Sequence, residues 1–380
     1  MEMRFDPTRF LNRPRIERCW QKNLTWYQWP LWMMLVPPSL LYSAAMTGRS
    51  AIRRIPGVRR RGPGNLKIIS VGNLTVGGNG KTPFTLFLAR ALVSRGLRVG
   101  IVSRGYGGIE GGGAACLVSD MREPRLGPEE AGDEAVMMAK FFDGPIAIAA
   151  RRIDAIRMLE SRGHLDAVVL DDAFQQLRLA PDINLLVVNI ERGLGNGWVL
   201  PAGPMRERLS AVRRADAVVM LSTGTNAPSA ITPAQAEEFR RRKIFAGRIR
   251  PRTLVHHDQG AWREVPMDAL AGRRVLAVSG IADARSFYEM LRQAEADLTG
   301  VLEYPDHYSY TLADWQQIAR LAQNADMVVT TEKDLVKLER FPFVRDFLYA
   351  LRLEVRMDED QDRLLEMIIG GEQSPLAAHG

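Results

Sequence analysis

Ser70-Val-Gly-Asn-Leu-Thr-Val-Gly-Gly-Asn-Gly-Lys-Thr82 decides the fold of this chain. The apolar run Leu66-Lys-Ile-Ile-Ser-Val71 leads into it and reads as a strand, while Lys81–Ser94 follows and reads as a helix. A glycine-rich turn in that setting lets backbone N–H groups face inward around phosphate oxygens. The helix N-terminus adds further donors and a favourable dipole. Lys81 would then bridge the terminal phosphates of a nucleotide, and the Thr82 hydroxyl would coordinate Mg2+. Thr75 stands where the strict Gly-x-x-x-x-Gly-Lys-Thr pattern has its first glycine, but the Gly77-Gly78-Asn79-Gly80-Lys81-Thr82 core keeps the signal specific. A glycine-rich turn without a ligand is the competing reading.

Working outward, Ala167-Val-Val-Leu170 reads as a buried strand that ends in Asp171-Asp172. Carboxylates at the C-terminal end of a parallel strand lie where open α/β sheets bind ligands. The pair suits a Walker-B role, holding Mg2+ directly or through water. A solvated capping pair is the alternative. Loop and acidic pair together describe an NTP hydrolase or a kinase. Motif physics alone does not choose between them, because similar machinery directs either water or an alcohol at the γ-phosphate.

The rest of the body alternates strands and helices. Arg98–Ser103, Pro145–Ala149, Ile183–Val188 and Ala217–Leu221 read as strands, and Glu130–Phe141, Arg151–Ser161 and Pro233–Arg241 as helices. A second series follows, with strands Arg274–Ser279, Gly300–Tyr304, Asp326–Thr330 and Phe347–Leu353. Its helices are Ala284–Ala296, Leu312–Gln323 and Asp360–Ile369. This alternation predicts an α/β fold with a mostly parallel sheet covered on both faces. The expected division is a basic and apolar segment over residues 1–63, a phosphate-loop core over 64–242, a linker of short strand-like pieces and turns over 243–267, a smaller α/β domain over 268–370 and a disordered tail over 371–380.

Charge is distributed unevenly. The chain has 380 residues and a net charge of +7. Residues 1–63 hold 12 Lys/Arg against 3 Asp/Glu, so the remainder is close to neutral. A nucleic-acid-binding body, which needs its basic patch on the folded domain, is therefore not expected. Two cysteines, Cys19 and Cys116, and five histidines exclude a disulfide framework and a His-rich metal site. Between Lys22 and Arg49 there is no formal charge, and Trp20, Trp26, Trp29 and Trp32 cluster there. The apolar run Trp29–Met46 is short of the about 20 residues that a spanning helix needs. Pro37-Pro38 is expected to interrupt it. Basic residues flank it: Arg13, Arg15, Arg18 and Lys22 before, Arg49, Arg53, Arg54 and Arg59-Arg60-Arg61 after. The pattern predicts shallow or re-entrant insertion into an anionic membrane surface. A helical arm packed on the protein's own core is the bland alternative.

Seven motifs together resemble the tetraacyldisaccharide 4'-kinase family of lipid A biosynthesis. They are Val71–Pro83, Ser103-Arg-Gly-Tyr-Gly107, Gly132-Asp-Glu134, Asp171-Asp-Ala-Phe-Gln-Gln176, Pro201-Ala-Gly-Pro-Met-Arg-Glu207, Pro305-Asp-His-Tyr308 and Thr331-Glu-Lys-Asp334, spread over about Trp26 to Leu365. The resemblance implies an enzyme at the cytoplasmic face of the bacterial inner membrane. It would transfer the γ-phosphate of ATP to the 4'-hydroxyl of an acylated glucosamine disaccharide 1-phosphate, giving lipid IVA, with no obligate protein partner. It also implies a two-stranded connection between the two domains, with ATP in the cleft. Asp133 would be the catalytic carboxylate and His307 its dyad partner. Arg152, Arg206 and Glu207 would act at the transferring or acceptor phosphates. Asn73, Thr75, Val76, Gly77, Gly78, Asn79 and Gly80 would shape the ATP site with Lys81 and Thr82. Glu332 and Lys333 would reach the nucleotide's base or ribose, and Arg104 and Tyr106 would lie on the acceptor side.

Three positions depart from the family pattern. Ala173 and Gln176 replace a glycine and a histidine of Asp-Asp-Gly-Phe-Gln-His, and Arg151 replaces a common acidic residue. Two rival functions remain at this level: a membrane-attached regulatory P-loop NTPase, and a scaffold with a vestigial nucleotide site. Against the first, no clear Asn-Lys-x-Asp guanine-reading motif is present.

Overall fold

The computed structural model describes residues 16, 19–20, 28–52, 66–110, 113–120, 124–176, 179–224, 229–258, 261–341 and 347–370. Trp26, the predicted tail and every flanking basic residue named above except Arg49 lie outside them. Thirteen strands form one sheet: β1 (Lys67–Gly72), β2 (Val99–Ser103), β3 (Cys116–Ser119), β4 (Ile146–Ile148), β5 (Ala167–Leu170), β6 (Ile183–Asn189), β7 (Ala217–Ser222), β8 (Lys243–Asp258), β9 (Ala261–Val265), β10 (Arg274–Ser279), β11 (Asp297–Glu303), β12 (Met327–Thr331) and β13 (Leu348–Arg356). The helices are α1 (Trp29–Ile52), α2 (Lys81–Ser94), α3 (Pro128–Ala131), α4 (Asp133–Phe141), α5 (Arg152–Arg162), α6 (Pro233–Arg240), α7 (Ala284–Gln293), α8 (Leu312–Ala322), α9 (Glu332–Leu338) and α10 (Asp360–Gly370).

Strand order is β11-β10-β12-β13-β8-β7-β6-β1-β5-β2-β4-β3, with β9 paired to β8. All pairings are parallel except β3–β4, β8–β9 and β8–β13. Successive side chains of β1 go to opposite faces. Ile69 joins a core with Phe84 and Leu88 of α2, while Ile68 joins one with Ile156 of α5. The second half repeats this, with Ala277 against Phe287 of α7 and Leu276 against Trp315 of α8. Both faces are thus covered, as a parallel sheet requires.

The 243–267 stretch differs from a chain of short pieces. It holds a single 16-residue strand, β8, and its hairpin partner β9. Lys243–Arg248 pairs parallel with β7, and Arg248–His256 pairs antiparallel with β13. One strand therefore belongs to both halves and makes the sheet continuous. The chain also returns: Leu364, Leu365 and Ile368 of α10 pack into the core of the first half.

The expected interruption at Pro37-Pro38 is overturned, because α1 runs unbroken through both prolines. A helix-interior proline costs about 3 kcal/mol through the lost N–H bond and the ring clash. Packing along one face of α1 opposes that cost. Leu35, Ser39 and Ser43, spaced four apart, are buried. Ser39 Oγ donates to the Val199 carbonyl at 2.8 Å, Trp32 Nε1 to that of Ala202 at 3.1 Å, and Arg208 Nε to Ser43 Oγ at 2.6 Å. The opposite side is apolar and bare, with Met34 75% and Leu41 74% exposed. Among the described residues no helix is long and apolar enough to cross a membrane.

Candidate active site

Strand β1 delivers the chain into the phosphate loop, and Gly80 ends that loop with φ +78° as the cap of α2. A Cβ at Gly80 would displace only the end of the Ile249 side chain, so it is the left-handed backbone that favours glycine here. Side chains hold the loop from within: Asn79 Nδ2 donates to Thr75 Oγ1 at 2.9 Å and to the Gly77 carbonyl at 3.0 Å. The backbone N–H of Val76 donates to Pro204 at 2.9 Å. Arg192 Nη1 caps the carbonyl of Gly78 at 2.9 Å. That arginine has no counterpart in the motif reading and was visible only as a basic residue beyond β6. Asn73 is buried, and neither polar atom of its side chain has a hydrogen-bond partner.

Strand β5 lies beside β1 with Ser70 opposite Leu170, which sets Asp171 and Asp172 against the loop. Asp172 is held in the left-handed region at φ +46°. That strain falls on the residue before Ala173, and Ala173 does not share it, so alanine fits there. Arg206 Nη1 grips both carboxylate oxygens of Asp172, at 2.8 and 2.9 Å, and Lys81 stands 3.8 Å away. Burial opposes ionisation of Asp172, but Arg206, Lys81 and Arg152 outweigh it and hold the carboxyl well below its ordinary range. Asp171 is fully buried and accepts a 2.9 Å bond from Thr85 Oγ1, one turn along α2 from the buried Thr82. Its second oxygen, Oδ2, has no hydrogen-bond partner. Burial, then the charges of Glu134 and Asp172, push the Asp171 carboxyl up to about 7, against Lys81 and the Thr85 bond.

Two candidates take supporting places. Arg152 is buried beneath the acidic loop, and its Nη2 donates to the carbonyls of Asp171 and Asp172 at 3.3 Å. Glu207 is buried in a bidentate pair with Arg214, at 2.7 and 2.9 Å, and Arg214 in turn covers the Phe174 ring. Both brace the segments that carry Asp172 and Arg206.

Asp133 opens α4, directly after Gly132 at φ +84°. A side chain on Gly132 would collide with the Tyr106 carbonyl, so glycine alone permits the break between α3 and α4 that presents Asp133. The expected single helix over 130–141 is corrected to two helices for this reason. His307 arrives from the loop after β11, also strained at φ +61°, and its Nδ1 lies 3.1 Å from Asp133. Tyr106 packs edge-on against the imidazole at 5.3 Å. Burial disfavours the Asp133 carboxylate, yet the His307 bond and the charges of Lys333, His307 and Lys337 hold it below its usual range.

Lys333 belongs to this cluster. Its Nζ is 2.9 Å from Asp306, 3.0 Å from His307 Nε2 and 3.8 Å from Glu134. Burial works against its charge, but Glu134, Asp133 and Asp306 raise its pKa above the ordinary lysine value. Glu332 turns inward, where its carboxylate accepts from the Leu353 N–H at 3.2 Å and burial pushes it up to about 7.

An oxygen-only set of Thr82 with Asp171 and Asp172 suits Mg2+. The orphaned Oδ2 of Asp171 fits that reading, since a buried carboxylate oxygen without a partner is costly. Among the described residues no group of three or more His, Cys, Asp or Glu side chains could hold a metal ion by itself. The Asp171 carboxyl also makes stability depend on pH. Its folded pKa is raised, so its penalty is absent below the ordinary carboxylate pKa and complete above about 7. Asp171→Asn is expected to raise the melting temperature by a few degrees at pH 8 and to change it little near pH 4. Thermal melts over that window check this, and equal shifts at both ends would refute it.

A model of the Tetraacyldisaccharide-1-P 4'-kinase family matches residues 31–370. The chain belongs to that family. Its similarity to individual tetraacyldisaccharide 4'-kinases is spread along the sequence. It is 39% identical to the protein of Pelobacter propionicus, over 80% of this chain and 82% of that one. It is 40% identical to that of Geobacter metallireducens, over 77% and 85%, and 35% to that of Brucella ovis, over 90% and 94%. The LpxK structure from Aquifex aeolicus, solved in complex with ATP, superposes over 90% of this chain and all of its own with a TM-score of 0.72 at 29% identity. This member of the 4'-kinase family is therefore a transferase, and the regulatory NTPase and scaffold readings fall away.

Proposed function

We propose that the protein transfers the γ-phosphate of ATP to the 4'-hydroxyl of tetraacyldisaccharide 1-phosphate. The observation that carries this is the Asp133–His307 pair, 3.1 Å apart and joined by Glu134 to the environment of Asp171 beside the phosphate loop. A sugar hydroxyl is a poor nucleophile until its proton has an acceptor. Asp133 is that acceptor, kept ionised at neutral pH by its neighbours, and His307 orients it. Lys81 draws charge from the transferring phosphate, with loop N–H groups around the other oxygens. Thr82, Asp171 and Asp172 would hold Mg2+, which when bound neutralises phosphate charge. Arg206 keeps Asp172 aligned until then, and Arg152 supports both carboxylates through their backbone.

The acceptor is amphiphilic, and α1 suits the surface on which it lies. Its bare side carries Trp29, Met33, Met34, Leu40 and Leu41. We assign it to shallow docking on the cytoplasmic face of the inner membrane, at an anionic surface. Met34→Glu with Leu41→Glu should lower binding to anionic phospholipid vesicles by about tenfold or more, since each side chain then loses its apolar burial. Co-sedimentation measures this, and undiminished binding would move the docking surface elsewhere.

The reaction itself is tested with ATP and tetraacyldisaccharide 1-phosphate in detergent micelles. A 1,4'-bisphosphorylated product supports the proposal. ATP hydrolysis without that product would sink it.

A further inference from the structure

Lys337 lies one turn beyond Lys333 on α9, outside every motif that marks the chemistry. It is 8% exposed, and its Nζ has no hydrogen bond of ordinary geometry. Two carboxylates share it: Asp334 Oδ1 at 3.0 Å and Asp133 Oδ2 at 3.5 Å. The Tyr310 ring lies 5.5 Å away. Asp334 is itself fully buried and fixed, because its Oδ2 accepts from the Gly280 N–H at 2.8 Å and from Thr331 Oγ1 at 2.7 Å. Gly280 follows β10 and Thr331 caps α9, so this anchor belongs to the second half of the sheet. Asp133 belongs to the first half.

We infer that Lys337 is a positioning residue for the phosphoryl-transfer reaction, tying the Asp133 carboxylate to the rigid Asp334 anchor across the two halves of the molecule. This rests on the reading of Asp133 as proton acceptor. A buried ammonium needs a carboxylate partner, and Asp334 alone meets that need. A purely structural lysine would therefore not have to approach Asp133 as well. The approach gives Asp133 a second ammonium neighbour beside Lys333, in addition to the His307 hydrogen bond. Those three outweigh the cost of burying its charge. Other charges facing the cluster are Glu134 on α4 and Asp306 next to His307, both paired with Lys333. Tyr106 borders the imidazole. Lys337 is thus the member that reaches Asp133 from a buried, hydrogen-bonded anchor.

The test uses the full chain in four forms: Lys337→Met, Lys337→Arg, the double variant Lys337→Met/Asp334→Asn, and Asp133→Asn. Each is assayed for kcat, for KM of ATP and acceptor, and for pH dependence. Lys337→Met should lose about 10- to 100-fold in kcat, with KM for ATP changed less than about twofold. Its pH–rate profile should move toward higher pH, because removing a positive charge beside a coupled carboxylate–imidazole pair favours the protonated form. Lys337→Arg should recover part of the rate. The double variant removes the buried charge with its counter-charge and should fold even where Lys337→Met does not. It should keep the kcat loss and the displaced profile. Wild-type rate and profile in the double variant would mean that Lys337 only neutralises Asp334, and the inference would be overturned. An unaltered Lys337→Met enzyme would overturn it equally. Asp133→Asn separates the two levels: a fully active Asp133→Asn removes the proton-acceptor reading beneath it. An inactive Asp133→Asn beside a normal Lys337→Met confines the failure to Lys337.

Discussion

Asp133→Asn should reduce phosphoryl transfer by about two to four orders of magnitude while leaving ATP affinity nearly unchanged. The substitution keeps the shape of the side chain and its place at the start of α4, where one carboxylate oxygen accepts from the Glu134 N–H at 3.0 Å. What it removes is proton acceptance. His307 cannot replace it simply, because its Nδ1 faces Asp133 and its Nε2 faces Lys333 at 3.0 Å. Both imidazole nitrogens are engaged, which supports the proposal that the histidine orients and the carboxylate accepts. The environment of Asp133 makes it a weak base, well below the usual range, yet one that is ionised throughout the neutral region. A weak base is sufficient where the proton becomes acidic only as the oxygen–phosphorus bond forms. Single-turnover product formation with saturating ATP gives the answer. A rate within tenfold of wild type would remove Asp133 from the chemistry.

The residues that proved legible in sequence were those whose local rules and tertiary roles agree. Helix α2 begins at Lys81 and ends at Ser94 as its spacing predicts, because the glycine loop fixes its start. The apolar run before Asp171-Asp172 was legible as the strand that carries them, and its pairing with β1 sets them beside that loop. Other features answer to distant partners. Pro37 and Pro38 read as a break, but the helix that contains them is fastened by residues 199 and 202 of another segment. Strand β8 reads as fragments because its first and second parts serve different neighbours, parallel to β7 and antiparallel to β13. Lys337 was missed because α9 was missed. A capping signal was present, since Thr331 and Asp334 have the Thr-x-x-Asp spacing and exchange hydrogen bonds. Asp and His enter the left-handed region more readily than most non-glycine residues, but residue type alone does not say which of them will, so the positive φ of Asp172 and His307 was not legible. Both lie where the chemistry is proposed, which is where strain is most often tolerated.

Lys81→Ala should also lower the rate by orders of magnitude, about a thousandfold, and for a different reason. In the ligand-free arrangement Lys81 and Arg206 share Asp172, the lysine at 3.8 Å and the arginine at 2.8 Å. The arginine already makes two hydrogen bonds to that carboxylate, so Asp172 does not depend on Lys81 for its alignment. Lys81 is thus the cation that can turn from Asp172 to an incoming phosphate at little cost. Its loss should therefore raise KM for ATP as well as lower kcat, unlike Asp133→Asn, which should touch kcat alone. Stability should hold within about 1 kcal/mol, because Asp172 keeps Arg206 and nothing apolar is uncovered. Lys81→Arg should not restore the rate, since a planar fork cannot take the place of a compact ammonium among loop N–H groups. Steady-state kinetics on both variants, with thermal melts beside them, provide the check. An ATP KM unmoved in Lys81→Ala would show that the lysine never leaves Asp172, and the nucleotide role would pass to the backbone of the loop.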